Sequence, residues 1–397
     1  MTKDFIQPIN QTVKAMTIDG LTGFQKKLSG LDDLVYLTFG EPGFNVDDRV
    51  KQTMIQAIED DHSHYAVAEG DLALRQAAVD YYDRKFDLHF HGPENVIVTS
   101  GVTESIYALF QTLLTPGDGV LIPTPSYPPY FAAINIIGGK MLKLDTTSNH
   151  FKLTPEAVEK ALAETDLKVK VVLFNYPSNP TGVTYTEDEL KALAEVFKKH
   201  QIWVISDEIY AELTYDVKHM SMMNLLPDQT VLITGLSKSH AMTGYRIGFV
   251  MGSEAIINEV GKVHDTLTFA LPQVTQDGAR AAVTIAADAP DQMRPIYQRR
   301  RDYAMQRMSD MGFDVGNPQG AFYIFAKIPE DFSAGTDGLQ FAWDLAVEGG
   351  VGVAPGIAFS DATAEYIRIC YAGDDEALAV AMDRMAAWIE KKRAERA

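Results

Sequence analysis

From Asn95 onward the chain alternates short continuous apolar runs with stretches of helical periodicity. The runs VIVTS (96–100), GVLIP (ending near Pro123), KMLKL, KVVLFNY, IWVISDE, VLITG and RIGFVMG predict seven strands. Between them, helices are expected near 102–114, 128–138, 154–164 and 186–199. Runs such as VVLF and IWVI have no polar alternate position, so both faces of their sheet need covering, as in a mostly parallel sheet. Ahead of this block, residues 1–44 read as one or two helices and an extended segment, Leu34 to Phe39, ending in Gly40-Glu41-Pro42-Gly43. Residues 45–60 and 70–86 read as helices. The second places Leu72, Ala73, Ala77 and Tyr81 inward and Arg75 and Asp80 outward, and the loop HSHYAVAEG lies between the two. After about residue 284 come a long charged helix (289–311), short strands GAFYIF and YIRICYA, and a closing helix (374–393). The fold class expected is α/β. A large domain (45–283) would hold a mostly parallel seven-stranded sheet. A smaller α+β domain (284–397) would be joined by the N-terminal arm (1–44).

Composition narrows the function. The 397 residues are 46% hydrophobic and 22% charged, ample for a large core. A net charge of −19 disfavours nucleic acid and anionic membranes as partners, and an anionic ligand would need a locally basic pocket. The one cysteine, Cys370, leaves no intramolecular disulfide and no zinc-finger spacing. The start MTKDFIQPIN lacks a basic region followed by an apolar core, and no apolar stretch approaches a membrane span, so a soluble cytoplasmic protein is expected. His62/His64 and His89/His91 lack companions at metal-ligand spacing and read as loop histidines; no metal is expected. In GVGVAPG, Pro355 and Gly356 break the spacing of a dinucleotide loop.

The candidate chemistry gathers at predicted strand ends, where ligands of open α/β sheets sit. Val231-Leu232-Ile233 leads into TGLSKSHAMTGYR, which presents Lys238 and, eight residues on, Arg246. An amine in a small-residue turn beside a guanidinium suits an imine with a phosphate-bearing aldehyde such as pyridoxal phosphate. In VIVTS-GVTES the free N–H groups of Val102 and Thr103 and the Thr103 hydroxyl form an anion seat, or else a plain helix cap. KVVLFNYPSNPTG fixes Asn179 in a rigid turn, with a cis Asn179–Pro180 bond expected. Asp207 ends the run IWVIS. A carboxylate there is costly unless paired, and a pyridinium N–H would pair it; a helix cap is the alternative. Tyr210, three residues later, can reach the same ring's phenolic oxygen. Arg368 shares a strand face with Tyr366 and Cys370 and needs an anion. A substrate carboxylate would suit it, as would an internal acidic residue. SMMNLL, Phe322 and Tyr323 read as core.

Together SDEIYAELTYD, NYPSNPTGV, GLSKSHAMTGYRIG and YIRICYA resemble the fold-type I aminotransferases of class I/II over essentially the whole chain. Within that family the likeness is nearest the bacterial group of aromatic amino-acid and N-acetyl-LL-diaminopimelate aminotransferases. The resemblance implies a pyridoxal-phosphate transaminase working with a 2-oxo acid such as 2-oxoglutarate. Lys238 would tether the cofactor and then act as base. Asp207 would pair with the ring nitrogen, Tyr210 and Asn179 would hold the ring oxygen, and Tyr127 would stack on the ring. Val102, Thr103, Ser237 and Arg246 would bind the phosphate, and Tyr65 would reach the phosphate of the other subunit of a homodimer. Arg368 would clamp the substrate carboxylate, helped by Asn179 and the Gly40 backbone. Gly235 stands where many members carry Ser, so one phosphate hydrogen bond is missing or comes from water. The rival activities are a carbon–sulfur β-lyase on the same fold and, more remotely, a non-enzymatic effector-binding domain.

Overall fold

The computed structural model describes residues 9–16, 20–333 and 335–396. The expected strands form one sheet: β1 (Val96–Thr99), β2 (Gly119–Thr124), β3 (Lys140–Asp145), β4 (Val169–Asn175), β5 (Trp203–Asp207), β6 (Thr230–Gly235) and β7 (Gly248–Met251). Their spatial order is β1-β7-β6-β5-β4-β2-β3. Only β7 runs antiparallel, to both β1 and β6; the other pairings are parallel.

The apolar runs are continuous because each face of the sheet has its own core. In β4, Val171 and Leu173 pack with Leu109, Phe110 and Ile134 on one side. Val172 and Phe174 pack with Leu190 and Phe197 on the other. Successive side chains of a strand point to opposite faces, so neither face can carry polar residues. The helix Glu187–Lys199 that covers one face starts with a capping box, in which the Thr186 side chain and Glu189 satisfy each other's backbone N–H groups.

A second, four-stranded antiparallel sheet follows: β8 (Asp314–Val315), β9 (Tyr323–Lys327), β10 (Ala354–Pro355) and β11 (Tyr366–Cys370), ordered β10-β11-β9-β8. Its core combines both ends of the chain: Phe24, Leu28 and Leu37 pack in one cluster with Tyr297, Phe322, Phe341 and Trp388. The fold class is therefore the expected α/β sheet with a smaller α+β unit built from both termini.

Leu72 and Ala73, expected to face inward, are exposed at the start of their helix, and three further details differ from the sequence pattern. Of the extended segment 34–39, only Val35–Tyr36 pairs as a strand, parallel to Val351–Gly352. Residues 254–283, to which the apolar pattern assigns no element, form helices Glu254–Leu267 and Gln273–Val283. A further helix, Gly338–Gly349, precedes the short 351–352 strand. The Gln273–Val283 helix buries small side chains, Ala279, Ala281 and Ala282, and a Cβ on its Gly278 would lie 2.6 Å from Met54. Close approach by small residues leaves little hydrophobic stripe to detect. The Asn179–Pro180 bond is cis as expected, and so are Thr124–Pro125 and Tyr176–Pro177.

The topology sets the functional edge. The C-terminal ends of β1, β4, β5 and β6 lie together with the start of β7. In register, Thr99 faces Gly248, which faces Gly235, while Ile233 faces Asp207, which faces Asn175. Gly248 permits a close backbone approach, since a Cβ there would stand 2.6 Å from the Gly101 carbonyl carbon and 2.8 Å from the Val102 nitrogen. Gly248→Ala is therefore expected to destabilise the protein by about 1–3 kcal/mol, because backbone must give way. Urea unfolding checks this, and an unchanged midpoint would contradict it.

Candidate active site

A cavity of about 630 Å³ opens over this edge. At one end lies the N-terminus of the helix Gly101–Leu113. Gly101 adopts φ +75°, a conformation that favours glycine, and its missing side chain makes room for Arg246, whose Nη2 would lie 2.7 Å from a Cβ there. Arg246 is itself left-handed (φ 56°) and donates from Nη1 to the Thr243 carbonyl at 2.9 Å. Among the described residues no carboxylate lies within 4 Å of its guanidinium. Val102, Thr103 and Ser237 line the same end. Free amides, hydroxyls and an unpaired guanidinium make an anion seat.

The middle of the cavity is built around Asp207, 2% exposed at the end of β5. Its Oδ2 accepts the Tyr130 hydroxyl at 2.6 Å and its Oδ1 accepts the Ile209 amide at 3.1 Å. No cation lies within ion-pair distance of it among the described residues. Burial pushes its carboxyl up to about 6, against the pull of those two hydrogen bonds. Asn175, beside it in the sheet, donates to the Asp207 carbonyl at 2.9 Å and accepts the Asn179 amide at 2.9 Å, which ties the rigid turn to the strand. The Tyr127 ring meets Tyr130 edge to face, with centroids 5.3 Å apart. The Tyr210 and Tyr323 hydroxyls share a hydrogen bond of 2.7 Å.

Lys238 sits on a single helical turn after β6 and donates to the Gly40 carbonyl at 2.5 Å. Its amine also lies 5.7 Å from the centre of the Phe322 ring. Burial lowers its ammonium to about 8, with Arg368 and Arg246 acting in the same direction. The free amine, the form a nucleophile or base requires, is thus far more accessible near neutral pH than for an ordinary lysine.

Arg368 enters from the small sheet on β11, 2% exposed, between the rings of Tyr323 (4.4 Å) and Phe359 (4.9 Å). It donates to Asn179 Oδ1 at 2.8 Å and to the Thr38 carbonyl at 2.6 Å, while its Nε has no partner. No internal acid pairs with it among the described residues, so the ion-pair alternative finds no partner there.

All the sequence-derived candidates but one line this cavity. Tyr65 stands apart, 90% exposed and edge-on to Phe269 at 5.1 Å. Tyr323, which the sequence pattern assigns to the core, is buried and also lines the cavity. Tyr130 and Thr38 line it too, without standing out in the sequence. A buried tyrosine one helical turn after Tyr127 does need a hydroxyl partner, which is the only signal the sequence carries for Tyr130.

A family model, aminotransferase class I and II, matches residues 32–385. The chain belongs to that family. It is 40% identical over 385 residues to the probable N-acetyl-LL-diaminopimelate aminotransferase of Bacillus subtilis, covering 97% of this chain and 96% of that one. It is 31% identical to aromatic-amino-acid aminotransferase 2 of Thermococcus litoralis over 92% and 94% of the two chains. The structure of Thermus thermophilus aspartate aminotransferase with maleate superposes with a TM-score of 0.89 at 31% identity, covering 96% of this chain and 100% of that one. The protein is thus an aminotransferase, and the class uses pyridoxal phosphate. The site fits that cofactor. Among the described residues, buried Asp207 has no cationic side chain beside it, Arg246 stands with no carboxylate at the N-terminus of a helix, and the buried Lys238 amine has a lowered pKa.

A carboxyl raised by burial holds its proton more tightly in the folded than in the unfolded chain. Its contribution to stability therefore falls as pH rises from about 4 to about 6. In cofactor-free aminotransferase, Asp207→Asn is expected to remove that step and to gain about 1–3 kcal/mol at pH 7, while weakening cofactor binding. Urea unfolding at pH 4, 5 and 7 checks the sign; a destabilised variant at pH 7 would contradict it.

Proposed function

We propose that this aminotransferase moves an amino group between an L-amino acid of aromatic or acetyl-diaminopimelate type and a 2-oxo acid such as 2-oxoglutarate. It would act in the cytoplasm as a homodimer. The observation that carries the reading is Arg368, a buried guanidinium with an unpartnered Nε, held between two rings at the cavity wall. A planar carboxylate meets such a fork with two parallel hydrogen bonds, which fixes the substrate's α-carbon relative to Lys238.

When bound, pyridoxal phosphate supplies an aldehyde for imine exchange and a protonated ring that draws electrons from the α-carbon. The chain's own groups do the rest. Asp207, held by Tyr130, would pair with the cofactor's ring nitrogen and favour its protonated form. Tyr210 and Asn179 would hold the ring oxygen, and Tyr127 would pack against the ring. Val102, Thr103, Ser237 and Arg246 take the phosphate, with Tyr65 reaching the phosphate of the partner subunit. Lys238 would carry the cofactor in the resting enzyme, and its buried Nζ, once free, would be the base that takes up and returns the substrate's α-proton. Asn179 and the Gly40 backbone complete the carboxylate site around Arg368. In this reading the arm 1–44, the cofactor domain 45–283 and the small domain 284–397 enclose the cavity between them.

The choice of donor rests on two supports. One is the 40% likeness to the Bacillus subtilis relative named above. The other is the cavity lining, where Leu21, Thr22, Gln25 and Phe39 are uncharged and Glu41 is the one acidic side chain besides Asp207. A spectroscopic screen of single half-reactions across the common amino acids and N-acetyl-LL-diaminopimelate tests it. Aromatic or acetyl-diaminopimelate donors should convert the cofactor fastest, and a clear preference for aspartate would reject the assignment. Ammonia release without any 2-oxo acid would favour the β-lyase. Arg368→Leu is expected to lower kcat/KM about a hundredfold or more, through loss of a charge-assisted bidentate contact; an unchanged kcat/KM would make Arg368 structural.

A further inference from the structure

Behind the anion seat lies a pair that the chemistry above does not use. Glu104, on the first turn of the helix Gly101–Leu113, accepts the Ser100 amide on Oε2 at 2.5 Å. Its Oε1 lies 2.6 Å from Nδ1 of His264, on the helix Glu254–Leu267. The His264 Nε2 lies 2.7 Å from the carbonyl oxygen of Ala68. The His264 side chain is wholly buried and that of Glu104 is 9% exposed.

A carbonyl oxygen can only accept, so Nε2 carries a proton. Nδ1 faces a carboxyl group that already accepts a backbone N–H. The pair is then either imidazolium with carboxylate or neutral imidazole with carboxylic acid. Burial disfavours the charged forms of both residues. The hydrogen bond and attraction across the pair outweigh it, leaving His264 raised and Glu104 lowered. Both directions favour the ionic form.

The pair joins three segments, the turn that forms the seat, the loop 61–70 and the helix Glu254–Leu267. Glu104 holds the Ser100 amide and with it the turn from which Val102 and Thr103 present their N–H groups. Ala68 belongs to the loop 61–70, which carries Tyr65 and is also tied to β1, where the Val98 N–H donates to the Glu69 carbonyl at 3.0 Å. Phe269, just beyond the His264 helix, supports the Tyr65 ring. We propose that Glu104 and His264 are positioning residues for the cofactor phosphate. Their ion pair locks the seat and the Tyr65 loop into one unit, so cofactor is held most tightly while His264 is charged. This rests on the reading that Val102, Thr103, Ser237 and Arg246 take the phosphate.

The charged and titratable surroundings support the direction. Asp265, on the same helix as His264, adds negative potential, and the Thr268 hydroxyl supports Glu104. Of the other elements against that helix, β1 has no titratable side chain, the 93–95 turn has Glu94, and the helix Gly101–Leu113 adds only Tyr107. The loop brings Asp61, His62, His64, Tyr65 and Glu69, of which His62 is already paired with Asp277 at 2.6 Å. A raised histidine keeps the pair intact below its folded pKa and loses it as pH rises through that value.

Two measurements on the holoenzyme test the proposal. Side-chain nitrogen NMR should show His264 as imidazolium at pH 7, and a neutral tautomer there would overturn it. Cofactor release, followed after dilution into a trap for free pyridoxal phosphate, should quicken about tenfold as pH rises past the histidine range, the scale of one charge-assisted hydrogen bond. Glu104→Gln and His264→Gln should release cofactor about tenfold faster at pH 7 and lose that pH step, and the double variant should be no faster than either single one. Wild-type release rates and pH profile in both single variants would overturn the pair's role. Arg246→Met separates the two claims. If it loosens cofactor while the pair variants do not, only the pair fails; if it leaves release unchanged, the seat and the pair fall together.

Discussion

Buried charges held apart from one another are the constraint on which this structure depends. Asp207 and Arg368 are each 2% exposed and lie in one cavity, yet neither is paired with the other or with any oppositely charged side chain among the described residues. Leaving a buried charge unpaired costs several kcal/mol. A fold tolerates that only where a rigid frame prevents collapse and a ligand later supplies the partners. In the proposed function the cofactor's ring nitrogen serves the carboxylate, and the substrate's carboxylate serves the guanidinium. The same logic reconciles a chain of net charge −19 with anionic ligands, because Lys238, Arg246 and Arg368 concentrate positive charge in one cavity.

The rigid frame is the edge of the seven-stranded sheet. Asn175 and Asp207 are register neighbours, so their mutual hydrogen bond costs little further ordering. The Asn175 side chain then anchors Asn179, and Asn179 in turn accepts from Arg368, which comes from the other sheet. A chain of three side chains thus carries the position of β5 across to β11. The tyrosine pair 210–323 bridges the same gap a second time. One hydrogen-bonded network thus spans both sheets.

Much of this is legible in the amino-acid sequence. Burial on both faces forces uninterrupted apolar runs, so the seven strands stand out. A polar residue at the end of such a run, as with Asp207, or a lysine just past one, as with Lys238, is conspicuous against that background. The helix Gln273–Val283 stays hidden because it packs through alanines and Gly278 rather than through a wide apolar stripe. Tyr130 and Tyr323 stay hidden for another reason. A buried tyrosine looks like core until its hydroxyl's partner is known, and those partners lie 77 and 113 residues away in sequence. The pair Glu104–His264, separated by 160 residues, is invisible on the same ground.

The central claim is that the strand ends converge on one cofactor attached at a single amine. Borohydride reduction of the holoenzyme, followed by peptide mass mapping, tests it most directly. Permanent attachment of pyridoxal phosphate to the peptide containing Lys238, and its absence after prior exchange with an amino-acid donor, is the result predicted. Attachment at another lysine, or none at all, would contradict the account.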